Sequence, residues 1–184
     1  VPYTIVDIAT TPLPSNLQEY ALIIVGHNRL DPQHGYLDAA DQQAIATAVN
    51  LGTGLLNFDS VLADSNFAPY YQYAQTVFGF GYAPTAASTS VTINSAAVLG
   101  NYIVAAQTTN ASYNLLGSIT PLHVTQPQQA TTLATIGANP LLVATTYGQG
   151  RAIQWTSYDW MHADILSISG SSDPGIVGKV IHTE

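Results

Sequence analysis

The sequence predicts an α/β domain: a mostly parallel sheet flanked by helices, with an added antiparallel hairpin near the C-terminus. Three observations carry that expectation. The runs Ala21-Leu22-Ile23-Ile24-Val25 and Thr53-Gly54-Leu55-Leu56-Asn57-Phe58 are apolar almost throughout, as in parallel strands buried on both faces. Between them lies a segment with helical spacing and an acidic start. Late in the chain, two β-prone runs flank the glycine turn Tyr147-Gly148-Gln149-Gly150.

Taken in order, Tyr3-Thr4-Ile5-Val6-Asp7 reads as a short strand, followed by a Pro- and Thr-rich connection. The apolar run from Ala21 ends at Gly26-His27-Asn28-Arg29. Asp38 is placed to cap a helix whose Ala44, Ile45, Ala48 and Val49 recur at helical spacing. Gly52 supplies the residue that closes it. The following strand ends at Asp59-Ser60, and strand, helix and strand together imply a right-handed βαβ crossover.

A short helix and a Gly-rich turn are expected between Phe67 and Phe80. Ser90-Val91-Thr92-Ile93 and Leu99-Gly100-Asn101-Tyr102-Ile103-Val104 have strand composition. The stretch from Thr108 to Leu116 reads as polar and contains Asn110-Ala111-Ser112, which fits a glycosylation sequon. Two further strands are expected over 133–136 and 141–145, with Asn139-Pro140 as the turn between them. The Gly148–Gly150 turn then joins 143–146 to 152–155. Beyond Gly170 the chain is rich in Ser, Gly and Pro before an apolar run from Ile176 to Ile181.

Composition narrows the function. The 184 residues suit one domain spanning 1–184, with enough chain for a full core. Charged residues are only 8% of the chain, so Ser, Thr, Asn, Gln and Tyr must supply most of the surface polarity. That favours a secreted protein, extracellular or in a cell wall. Three basic against eleven acidic residues give a net charge of −8, a poor surface for nucleic acid and an attractive one for a cationic partner. There is no cysteine, which removes disulfides, thiolate metal sites and thiol nucleophiles together. No apolar run reaches the length of a membrane span. The opening Val1-Pro2-Tyr3 reads as interior sequence rather than a signal peptide.

The segment from Gly148 to Trp160 is the strongest site signature. It runs from a tight turn into an apolar strand and then into Tyr158, Asp159 and Trp160. Open α/β sheets place ligands at the carboxyl ends of their strands. A parallel sheet would therefore gather His27, Asn28, Arg29, Asp59, Ser60, Tyr158, Asp159 and Trp160 beside one crevice. Sugars need flat aromatic faces and directional polar groups, which these residues supply. An amino sugar would add a cation for Asp59, Asp159 or an indole face. Tyr70, Tyr71 and Tyr73 fit either a sugar platform or the packing of a helix. Trp155, inside the strand, reads as core.

The order of elements resembles the class I glutamine-amidotransferase-like fold. There, the strand after the central helix ends at a nucleophilic cysteine and a late strand ends at a catalytic histidine followed by an acidic residue. Here Phe58 or Asp59 stands at the first position and Thr156 or Ser157 at the second, so that chemistry does not carry over and no catalytic residue is assigned. A narrower resemblance lies in Ile24-Val25-Gly26-His27-Asn28-Arg29-Leu30 and Trp155-Thr156-Ser157-Tyr158-Asp159-Trp160. These are similar to the family 87 carbohydrate-binding module of secreted galactosaminogalactan deacetylases. The resemblance implies a non-catalytic domain that binds an extracellular amino-sugar polysaccharide and targets an attached deacetylase, with no cofactor. It also implies that a first strand and helix precede Val1, in a larger secreted protein.

Two other readings stand beside it. Asp59 and Asp159, or His27, His34 and His162 with Asp31 and Asp59, could serve a hydrolase in the same crevice. No HExxH or G-x-S-x-G spacing accompanies them. The third reading is a purely structural domain that packs against a catalytic neighbour.

Overall fold

The computed structural model describes residues 2–26, 37–58, 72–79, 88–94, 112–119 and 130–155. Their centre is a seven-stranded mixed sheet in the order β1-β2-β7-β6-β5-β3-β4. The strands are β1 (Leu22–Val25), β2 (Gly54–Asn57), β3 (Ser88–Ile93), β4 (Ser112–Ile119), β5 (Thr131–Ile136), β6 (Asn139–Tyr147) and β7 (Gly150–Trp155). Two helices, α1 (Ala39–Leu51) and α2 (Gln72–Phe78), pack on one face of it. The expected α/β fold with helices against a sheet is what the chain forms.

β1, α1 and β2 make the anticipated strand–helix–strand unit. The Asp38 carboxylate accepts a hydrogen bond from Asp41 N at 2.8 Å, satisfying one of the helix's unpaired donors. At the other end Gly52 N–H donates to Val49 O and Thr53 N–H to Ala48 O, a pairing that needs the positive φ of 125° at Gly52. The helix buries Gln42, Ile45, Ala46, Ala48 and Val49. Ile45, Ala48 and Val49 meet Leu55 of β2, Val143 of β6, Ala152 of β7 and Tyr73, Ala74, Val77 and Phe78 of α2 in one apolar cluster. Gln42 ties the two helices together: its Nε2 donates to Leu37 O at 3.2 Å and its Oε1 accepts from Tyr73 N at 3.3 Å. Tyr73 is thus a buried packing residue rather than part of a sugar platform. Tyr70 and Tyr71 lie outside the described residues.

β1 pairs with β2 and β2 with β7, all parallel. The remaining four pairings are antiparallel, so the antiparallel part exceeds the single added hairpin that the sequence suggested. That hairpin, β6–β7, is present and turns at Gly148-Gln149, with Gly148 at φ 58°.

Several expectations need correction. Residues 3–7 form no strand; Tyr3 and Ile5 are more than four-fifths exposed, and Asp7 begins a turn in which its carboxylate accepts from Ala9 N. β-prone composition favours a strand only where a partner and a packing surface exist. Among the described strands β1 stands at the edge and is not buried on both faces: Ile23 and Val25 pack on the core, whereas Leu22 and Ile24 are 48% and 61% exposed. The turn between β5 and β6 is Gly137-Ala138, not Asn139-Pro140; Gly137 takes φ 55°, and Pro140 lies inside β6. β4 covers Ser112–Ile119, partly over a stretch read as merely polar. The expected strand at 99–104, Asn110 of the sequon and the segment beyond Gly170 lie outside the described residues.

The glycine turn sits at the amino end of β7, against the C-terminus of α1. Gln149 N donates to Asn50 O at 2.9 Å. A Cβ on Gly150 would lie 2.1 Å from Val49 O, and one on Gly148 would lie 2.3 Å from Asn50 O. Gly148 also has the left-handed φ that L side chains avoid. Gly150→Ala and Gly148→Ala should each lower stability by about 1–3 kcal/mol, the usual cost of forcing atoms into filled space. Gly26→Ala, with nothing within 4 Å of its new methyl, should stay within about 0.5 kcal/mol of the parent. Urea unfolding of the three variants measures the contrast.

The pKa of Asp41 is raised, first by burial and then by the charge of Asp38. The folded chain therefore holds that proton more tightly than the unfolded chain does. This contribution is present below the unfolded pKa and is lost as pH rises through the folded one. Asp41→Asn should accordingly raise the melting temperature at pH 7 and change it less at pH 3; a lower melting temperature at pH 7 would mean that the helix dipole outweighs both effects.

Candidate functional site

The carboxyl ends of β1, β2 and β7 lie side by side, because Val25 pairs with Asn57 and Asn57 with Gln154. One further bond, from Phe58 N to Val25 O at 2.8 Å, carries the β1–β2 contact to the rim. From these ends the chain continues into His27, Asn28 and Arg29, into Asp59 and Ser60, and through Thr156 to Tyr158, Asp159 and Trp160. Those eight sequence-predicted residues lie outside the described residues. What the structure places together is the three strand ends from which they follow.

Two contacts join β2 to β7 at that rim, one on each face of the sheet. On the helix face, Asn57 Nδ2 donates to Gln154 Oε1 at 2.6 Å. Gln154 Nε2 in turn donates to Trp155 O at 2.6 Å and Asn57 O at 3.2 Å. Both amides are fully buried. Burying a polar side chain is unfavourable unless its hydrogen bonds are replaced, and here Gln154 Nε2 donates twice and Oε1 accepts once within the protein. On the opposite face, Phe58 stacks on Trp155 with ring centroids 6.4 Å apart and planes 8° from parallel. Trp155 is 1% exposed, so the core reading of this tryptophan holds.

The amide pair is a feature that the sequence reading missed. Its signal was present: Asn57 and Gln154 are polar residues near the ends of otherwise apolar strands. A strand pattern alone does not say that two such residues, 97 positions apart, are neighbours. The glycine turn, by contrast, stood out in the sequence but lies at the other end of β7. Gly148 and Gly150 serve the packing of β7 on α1 rather than the rim.

Chemically, the described part of the rim offers amides and aromatic rings. These groups hydrogen-bond and stack but transfer no protons near neutral pH. The metal-ligand candidates His27, Asp31, His34, Asp59 and His162 lie outside the described residues. Among the described residues, no group of three or more His, Cys, Asp or Glu side chains could hold a metal ion. No described helix is long and apolar enough to cross a membrane.

No family model and no curated protein matches the chain. Solved structures do. A protein described as cytoplasmic from Salmonella typhimurium LT2 superposes with a TM-score of 0.58 at 20% identity, over 84% of this chain and 69% of that one. A ThuA-like protein of Bacteroides uniformis gives 0.51 at 10% identity, over 78% and 63% of the two chains. An exo-β-1,4-mannosidase of Opitutaceae bacterium strain TAV5 gives 0.51 at 18% identity, over 82% of this chain but 22% of its own. The expectation of a secreted, extracellular or cell-wall protein is corrected by the first of these and by a second Salmonella protein of the same description. A surface rich in hydroxyl and amide groups is equally well hydrated in any compartment, so low charge content is no mark of export. At these identities the likeness concerns the fold alone, and that fold is flavodoxin-like, of the ThuA-like type.

Proposed function

We propose that this chain is a non-catalytic carbohydrate-binding accessory domain, which directs an attached polysaccharide deacetylase to an amino-sugar polysaccharide. The observation that carries the reading is the adjacency of the carboxyl ends of β1, β2 and β7. Three segments rich in ligand-binding residue types follow directly from those ends, where α/β sheets bind their ligands. Trp160 and Tyr158 would stack on the sugar ring. Asp59 and Asp159 would pair with its ammonium group, and His27, Asn28, Arg29 and Ser60 would meet its hydroxyls.

Two further points support it. The amidotransferase-like order of elements is present without a cysteine anywhere in the chain, so the thiol chemistry of that fold has no nucleophile. An enzyme named for its action on β-1,4-mannosides contains a comparable fold as about a fifth of its chain, which suits an accessory role beside other parts. The resemblance to the family 87 module, which rests on the two motifs around His27 and Tyr158, supplies the galactosamine-containing ligand and the deacetylase partner.

Titration calorimetry of the purified protein against partly deacetylated galactosamine oligomers tests this, with neutral chitin and cellulose oligomers as controls. Saturable binding to the aminated oligomers is expected. Trp160→Ala and Asp159→Asn should each weaken it by about tenfold or more, about 1.4 kcal/mol. Absence of heat from a folded protein would sink the sugar-binding reading and leave a structural domain packed on a catalytic neighbour. Cleavage of the oligomers that is lost in Asp59→Asn would instead make the crevice a hydrolase site.

A further inference from the structure

We draw no further inference here: the strongest candidate, the apolar patch that Leu22 and Ile24 of β1 expose on the sheet face opposite the two helices, carries nothing because nothing among the described residues shows what covers it.

Discussion

The sheet depends on β7 lying parallel to β2, two strands separated by more than ninety residues. The described strands between them, β3 to β6, pair antiparallel, and β7 then returns to lie between β2 and β6. Closing so long a connection carries an entropic cost that grows only slowly with length, but it must be offset by contacts specific to that placement. Two are visible. At its amino end β7 is held by the approach of its glycine turn to the carbonyls of Val49 and Asn50, which only glycine allows at that distance. At its carboxyl end it is held by the Asn57–Gln154 amides and the Phe58–Trp155 rings. One strand is thus fixed at both ends by contacts of different kinds.

The same arrangement separates stability from recognition. The helix-covered face holds Leu55, Ala152 and Val143 against α1 and α2, and that burial is nondirectional. The backbone ladder and the buried amides are directional, because their bonds have fixed donors and acceptors. Buried polar groups of this kind add little net stability over an apolar pair but penalise alternatives strongly, since a slipped register leaves them without partners. That penalty falls at the carboxyl ends of β2 and β7, from which the proposed ligand-binding segments follow.

The fold places this chain among flavodoxin-like and ThuA-like structures, which says where a ligand would sit and little about which ligand it is. The absence of cysteine removes one reaction class outright. An acidic surface with net charge −8 would draw a cationic polymer toward it and repel nucleic acid, consistent with an amino-sugar ligand.

Much of this was legible in the sequence. Asp38, the helical spacing through Val49 and Gly52 specify α1 by local rules of capping and periodicity, and the apolar runs on either side specify β1 and β2. Gly148 and Gly150 mark a hairpin for the same local reason. The errors have a common cause, the absence of partner information. Residues 3–7 have strand composition but pair with no strand among the described residues, and β1 reads as central although it stands at the edge of the described sheet. Asn57 and Gln154 read as unrelated polar residues until the register makes them neighbours. The sequence by itself determined which segments could be helix or strand, because those choices depend on neighbours within a few residues. Only the tertiary structure decided which strands adjoin, which face is covered and which amides meet, because those choices depend on contacts between residues far apart in the chain.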